Sequence, residues 1–171
     1  MTISNSIKET EALAKGYVAQ LSPKKKGATL IGLSGDLGSG KTAFVKAVAK
    51  ALGVKHTITS PTFVIEKIYR LPVRPPARNA RAGGTQTGLP ARNKFSKLVH
   101  IDAYRLSTAR EWKTVFQSDI QNDPKALVFI EWPENVKGAL PRGTNKISFK
   151  FIDERTREIK VNSKFKYQKS K

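Results

Sequence analysis

The chain has 171 residues, enough for one domain with a true core, and an apolar content of 39% argues against a disordered chain. It has no cysteine, which excludes disulfides and thiolate metal sites. Thirty-two Lys and Arg against 13 Asp and Glu give a net charge of +19, which suits phosphate-rich surroundings or reflects a basic drift of the whole source proteome.

The opening "MTISNSIKETEALAKG" has no apolar signal core, and no later stretch reaches membrane-spanning length. A cytoplasmic protein with no membrane partner is therefore expected. Ile7, Leu13, Ala14, Tyr17, Val18 and Leu21 recur at helical spacing and predict an amphipathic helix over 6–20, closed by "SPKKKG". "ATLIGLSG" reads as a buried strand ending at glycine, and "TAFVKAVAKALG" as a helix stopped by Gly53. "TFVIEKIYRL" (62–71) and "KLVHIDAYRL" (97–106) read as two strands that could pair as an antiparallel hairpin. Between them, about residues 72–96 form an exposed basic insertion with Arg74, Arg78, Arg81, Arg92 and Lys94 and no acid. "TAREWKTVFQSDIQ" predicts a helix capped by Ser107 or Thr108, "ALVFIEW" a buried strand, and "PENVKGALP" a short helical turn. "KISFKFID" and "REIKVN" predict a hairpin around "ERT", followed by a basic tail at about 163–171. These elements predict a single α/β domain over 1–171, three-layered with a mixed β-sheet.

Between the first strong strand and its helix stand Gly35, Asp36, Leu37, Gly38, Ser39, Gly40, Lys41 and Thr42, which satisfy G-x-x-x-x-G-K-[ST]. Glycines let successive backbone N–H groups turn inward as an anion nest, and the following helix adds its positive end. Lys41, expected on the exposed rim of the loop, would reach the β- and γ-phosphates, and the Thr42 hydroxyl would meet Mg²⁺. The plain alternative is a glycine-rich turn that binds nothing, but strand before and helix after favour a nucleoside triphosphate.

Two carboxylates end apolar strands. Glu131 closes "ALVFIE" in a Walker-B-like pattern, and Asp102 closes "LVHID". A parallel sheet would bring such residues to its carboxyl edge beside the loop, as catalytic groups and metal ligands with Thr42. Either could instead mark a strand's exit to solvent. "TSPTF" offers Thr62 at the position of a γ-phosphate sensor, or a plain turn. The guanine signature Asn-Lys-x-Asp is absent: Asn93-Lys94-Phe95-Ser96 and Asn145-Lys146-Ile147-Ser148 both lack the Asp, which favours ATP over GTP.

In order, "GDLGSGKTAF", "ITSPTF", "HIDAYRL" and "IEWPENVKGALP" resemble the bacterial TsaE (YjeE) family, the ATPase of tRNA threonylcarbamoyladenosine biosynthesis. The resemblance covers most of residues 5 to 160. It implies a P-loop NTPase-like fold, ATP and Mg²⁺ as cofactors, and TsaB- and TsaD-like proteins as partners that modify adenosine 37 of tRNA. ATP hydrolysis would reset that pair between turnovers, with tRNA met indirectly or through basic surface. Lys41 and Thr42 would take the phosphates and Mg²⁺, Thr62 would sit in a switch-like loop, and Asp102 and Glu131 would serve Mg²⁺ and the attacking water. Trp132 would lie against the nucleotide, and Thr10 would approach it from the N-terminal helix. The basic insertion, and a segment after "YRL" that keeps only Glu111 of the acids common there, depart from the family pattern. Two other classes fit the loop alone: a P-loop small-molecule kinase, and an RNA-binding module with a vestigial phosphate loop.

Overall fold

The computed structural model describes residues 1–55, 58–59, 61, 65–72 and 93–162. Thr62, residues 73–92 of the insertion and the tail from 163 lie outside the described residues.

A three-residue strand, β1 (Thr2–Ser4), opens the chain; so short a run carries no period and leaves no mark in the sequence. Helix α1 (Ile7–Gln20) follows, matching the expected span. Ser6 caps it by accepting the Glu9 N–H at 3.2 Å, and the Glu9 carboxylate returns to the Asn5 N–H at 2.9 Å. Strand β2 (Thr29–Ser34) leads through the phosphate loop into α2 (Lys41–Ala51), which Gly53 ends at φ +82°. Strand β3 (Glu66–Arg70) pairs antiparallel with β4 (Lys97–Asp102), so the expected hairpin stands. Both strands are shorter than the sequence patterns: β4 ends where the Asp102 carboxylate accepts the Tyr104 N–H at 3.0 Å and starts a 3-10 turn.

The helix expected over 108–121 is two pieces, α3 (Ala109–Val115) and α4 (Ser118–Gln121). Thr108 and Glu111 form a full capping box at the first. Gln117 is extended and begins the second, beside Ser118 and Asp119, short polar residues that favour helix starts over interiors. Then come β5 (Ala126–Glu131), a 3-10 segment (Pro133–Ala139), and the hairpin of β6 (Asn145–Phe151) with β7 (Arg157–Asn162).

Among the described residues, seven strands form one mixed sheet in the order β1-β7-β6-β2-β5-β4-β3. The inner strands β6, β2, β5 and β4 run parallel to one another, and the outer pairs are antiparallel. All six residues of β5 are buried, because it is covered on both faces. On one face, Leu127 and Phe129 pack with Leu13 and Tyr17 of α1 and Phe44 and Val48 of α2. On the other, Val128 and Ile130 pack with Trp112, Phe116 and Ile120. These are the three layers that the order of elements predicts.

The last four residues of the insertion, 93–96, are described, and they pack against the domain. Phe95 is 2% exposed in the first core, and the Lys94 ammonium donates to the carbonyls of Ala19 and Leu21 at 3.2 and 3.0 Å, closing the C-terminal end of α1. Residues 93–96 therefore belong to the domain.

Glu66, at the start of β3, has a carboxyl oxygen buried without a hydrogen-bond partner among the described residues. Burial, with Asp119 adding to it, raises its pKa from 4.5 to about 6. The folded state thus holds this proton more tightly than the unfolded chain, and stability falls as pH rises from about 4.5 through about 6. Glu66→Gln should remove that loss and gain about 1 kcal/mol at pH 8, roughly half the full linkage value because water still reaches the group. Urea titrations at pH 4.5 and pH 8 check this; a gain equal at both pH values would refute it.

Candidate functional site

Strands β2, β4 and β5 run parallel, so their carboxyl ends meet at one edge of the sheet. There Asp102 lies directly opposite Glu131, and Glu131 directly opposite Leu33, one residue before the chain leaves β2 for the phosphate loop. Among the described residues, two non-glycine residues have positive φ, both at this edge: Ile65 (67°), whose carbonyl accepts the Asp102 N–H at 2.8 Å, and Trp132 (56°), next to Glu131. Left-handed backbone of this kind costs about 1–3 kcal/mol per residue and is characteristic of sites whose geometry is imposed by the surroundings.

The loop uses its glycines as the motif requires. Gly35 has φ +141°, and a Cβ there would stand 2.3 Å from the Phe149 carbonyl oxygen, so the backbone lies too close to β6 for any side chain. Gly40 has φ +103° and opens α2 without a side-chain cap, which leaves the first-turn N–H groups for another acceptor. Ser39 is buried, while Leu37 is 87% exposed at the loop's outer turn.

Lys41 corrects the sequence expectation: it is not on an exposed rim but 4% exposed. Its ammonium donates to the carbonyls of Gly35 and Asp36 at 2.7 and 2.9 Å and sits 4.0 Å from the centre of the Trp132 ring. Burial pushes its pKa down, opposed by the carboxylates of Glu131, Glu134, Asp102 and Asp36. Those carbonyls and the indole face draw the side chain inward.

Thr42 meets Glu131 directly, its hydroxyl donating to Oε1 at 2.8 Å. The same oxygen receives His100 Nε2 at 2.8 Å. Lys41, Thr42, Asp102, Tyr104, Glu131 and Trp132 all line one cavity of about 350 Å³ with the loop. The Tyr104 and Trp132 rings lie 5.2 Å apart at its wall. Among the described residues no group of three or more His, Asp or Glu side chains gathers as a metal cage. The set Thr42, Glu131 and Asp102 instead suits a hard cation that keeps waters and shares phosphate oxygens, the habit of Mg²⁺ with one or two carboxylates.

A second cavity, of about 380 Å³, lies on the other side of the loop and shares Ser39, Gly40 and Ala43 with the first. Thr10 lines it from α1, 6% exposed, with its hydroxyl 2.8 Å from that of Ser4. Arg157 lines it from β7. Thus every residue that the sequence nominates for the nucleotide site and that the structure describes is at one of two cavities flanking the loop, or in the loop itself. Thr62 alone among them lies outside the described residues.

A sequence model described as "Threonylcarbamoyl adenosine biosynthesis protein TsaE" matches residues 4–81 and 84–159. The chain belongs to the TsaE family. The tRNA threonylcarbamoyladenosine biosynthesis protein TsaE of Rickettsia bellii is 28% identical over 166 residues, covering 96% of this chain and 95% of the relative. That of Treponema pallidum is 32% identical over 133 residues, covering 78% and 81%. Among solved structures, the chain is similar to YdiB of Bacillus subtilis, with a TM-score of 0.57 and 27% identity over 94% of this chain and 82% of that one. The expected P-loop NTPase-like fold is thereby shown, with its mixed sheet.

Within this TsaE-family frame, three neighbours of the site have no role that the sequence assigns. His100 and Tyr104 stand inside "HIDAYRL", but nothing in the string says that one meets Glu131 and the other Trp132. Arg157 donates to the Gly38 carbonyl at 3.3 Å and to the carbonyls of Asp153 and Thr156, bracing the phosphate loop against the β6–β7 hairpin. One basic residue among 32 Lys and Arg gives no sequence signal.

Proposed function

We propose that this chain binds ATP with Mg²⁺ in the paired cavities and hydrolyses it within tRNA threonylcarbamoyladenosine biosynthesis, acting in the cytoplasm with TsaB- and TsaD-like proteins. The observation that carries the reading is the convergence of Lys41, Thr42, Glu131, Asp102 and Trp132 on one cavity at the carboxyl edge of a TsaE-family sheet. In this reading the Lys41 ammonium, already held beside the loop by the Gly35 and Asp36 carbonyls, would hold the β- and γ-phosphates, and the N–H groups of the loop and of the first turn of α2 would donate to phosphate oxygens. Thr42 and Glu131 would hold Mg²⁺, which when bound would neutralise phosphate charge. Asp102, across from Glu131, orients the attacking water. Trp132 would lie against the nucleotide, and Thr10 would approach it from α1 through the second cavity. Thr62 is proposed as the sensor of the γ-phosphate.

A pull-down from the native cell in ATP and Mg²⁺ tests the partnership. TsaB- and TsaD-like proteins should come with the wild type and be lost in ATP-free buffer. Their absence in both conditions would refute this assignment.

The basic insertion is proposed to reach tRNA phosphates beside those partners. Residues 73–92 carry Arg74, Arg78, Arg81 and Arg92 without a balancing acid. Replacing 73–92 by a short glycine-containing turn, while keeping Phe95 and Lys94, should leave stability within about 1 kcal/mol, because closure entropy grows only logarithmically with length. It should flatten the salt dependence of tRNA binding by about 0.7–0.9 log units for each phosphate that the shortened chain no longer neutralises. An unchanged salt slope would leave the insertion a solvated loop.

A further inference from the structure

His100 lies in β4, 0% exposed, two residues before Asp102 and on the same face of the sheet. In register it is opposite Phe129, so Glu131 is its diagonal neighbour on β5. Its Nε2 stands 2.8 Å from Glu131 Oε1, the oxygen that also receives the Thr42 hydroxyl at 2.8 Å. A ring nitrogen this close to a carboxylate oxygen carries the proton and donates. The other nitrogen, Nδ1, is buried with no hydrogen-bond partner among the described residues. A proton there would leave a buried donor unpaired, which costs about 1–3 kcal/mol. The two observations together place the donated proton on Nε2.

We propose that His100 is a positioning residue whose Nε2–H fixes the Glu131 carboxylate, committing Oε1 to His100 and Thr42 and holding Oε2 available for the metal of the bound nucleotide. Glu131 is 3% exposed and reaches the cavity past two hydrogen-bond donors, not one. With Thr42 alone, the carboxylate could rotate about that single bond and present either oxygen. With His100 on the same oxygen from the strand side, the carboxylate plane is set before any ligand arrives. Partners of this kind behind a metal ligand typically change metal affinity by about 10–100-fold when removed. A core histidine that only fills space would not do this.

This inference rests on the Mg²⁺–nucleotide reading above, and the test separates the two. ADP affinity is measured by calorimetry across a Mg²⁺ series and in EDTA, for the wild type, His100→Leu and His100→Gln. The wild type should bind ADP more tightly as Mg²⁺ rises; no binding, or no Mg²⁺ effect, overturns the parent reading and this one with it. His100→Leu should need at least about 10-fold more Mg²⁺ for the half-maximal effect while its affinity in EDTA stays within about threefold of the wild type. His100→Gln, whose amide N–H reaches the place of Nε2, should return within about threefold of the wild-type Mg²⁺ midpoint. A wild-type Mg²⁺ midpoint in His100→Leu overturns the positioning role alone. So does an equal loss of affinity with and without Mg²⁺, which would mark a structural histidine. If the leucine variant does not fold, His100→Asn replaces it: its amide falls at the place of Nδ1 and should fail where glutamine succeeds, and equal Mg²⁺ midpoints for the two amides would overturn the proposal.

Discussion

Lys41→Ala should lower ATP affinity by about 100-fold or more and leave the fold intact. The ammonium has two carbonyl partners and four surrounding carboxylates in the protein, so it is already held where phosphates would arrive. Exchanging two neutral carbonyls for anionic oxygens gains charge-assisted bonds, each about 1.5–3 kcal/mol, and the alanine variant forgoes them. The carbonyls of Gly35 and Asp36 lose their donor in the variant, and the Trp132 ring loses its cation. The cost to folding should be about 1 kcal/mol, since both carbonyls lie near a cavity that water can enter. Calorimetric ATP titration together with a urea melt measures both. Affinity within about threefold of the wild type, a difference of only ~0.6 kcal/mol, would refute the role given to the loop.

Glu131→Gln should still bind ATP but lose about 100-fold or more of its hydrolysis rate. Two donors, the Thr42 hydroxyl and His100 Nε2–H, converge on Oε1. A glutamine must keep its carbonyl oxygen there to satisfy them, which turns its NH₂ toward the metal. The variant thus removes the charge and presents donors to a cation. Asp102→Asn should also be slow, yet through a different position, because Asp102 Oδ1 also accepts the Tyr104 N–H and an asparagine can keep that bond. Single-turnover hydrolysis in the reconstituted assembly distinguishes them from the wild type. Near-normal turnover in both variants would move the chemistry away from this edge.

The parts of this site that are legible in the sequence are those written in contiguous residues. Gly35, Gly40, Lys41 and Thr42 carry their meaning in their spacing, and the strands ending at Asp102 and Glu131 show as apolar runs closed by an acid. What cannot be read there is what meets across the sheet. The Thr42–Glu131 bond joins residues 89 apart, and His100 reaches Glu131 from a neighbouring strand. The burial of Lys41 follows from the Trp132 ring, which a motif around residue 41 cannot contain. Thr10 is nominated by resemblance alone; its place at the second cavity depends on β1 bringing Ser4 against it. Phe95 and Lys94 are absorbed into a basic, proline-rich stretch whose composition outweighs one aromatic residue, although that aromatic anchors the end of the insertion in the core. The break between α3 and α4 is hidden because Trp112, Phe116 and Ile120 keep helical spacing across it.

In the proposed role, ATP turnover by this chain would serve a TsaB–TsaD pair. The most direct measurement is the steady-state rate of phosphate release from ATP and Mg²⁺, first with the chain alone and then with purified TsaB- and TsaD-like proteins from the same cell. The rate should rise when the pair is added and fall back in Glu131→Gln. A rate that ignores the pair, or that survives in Glu131→Gln, would contradict the claim.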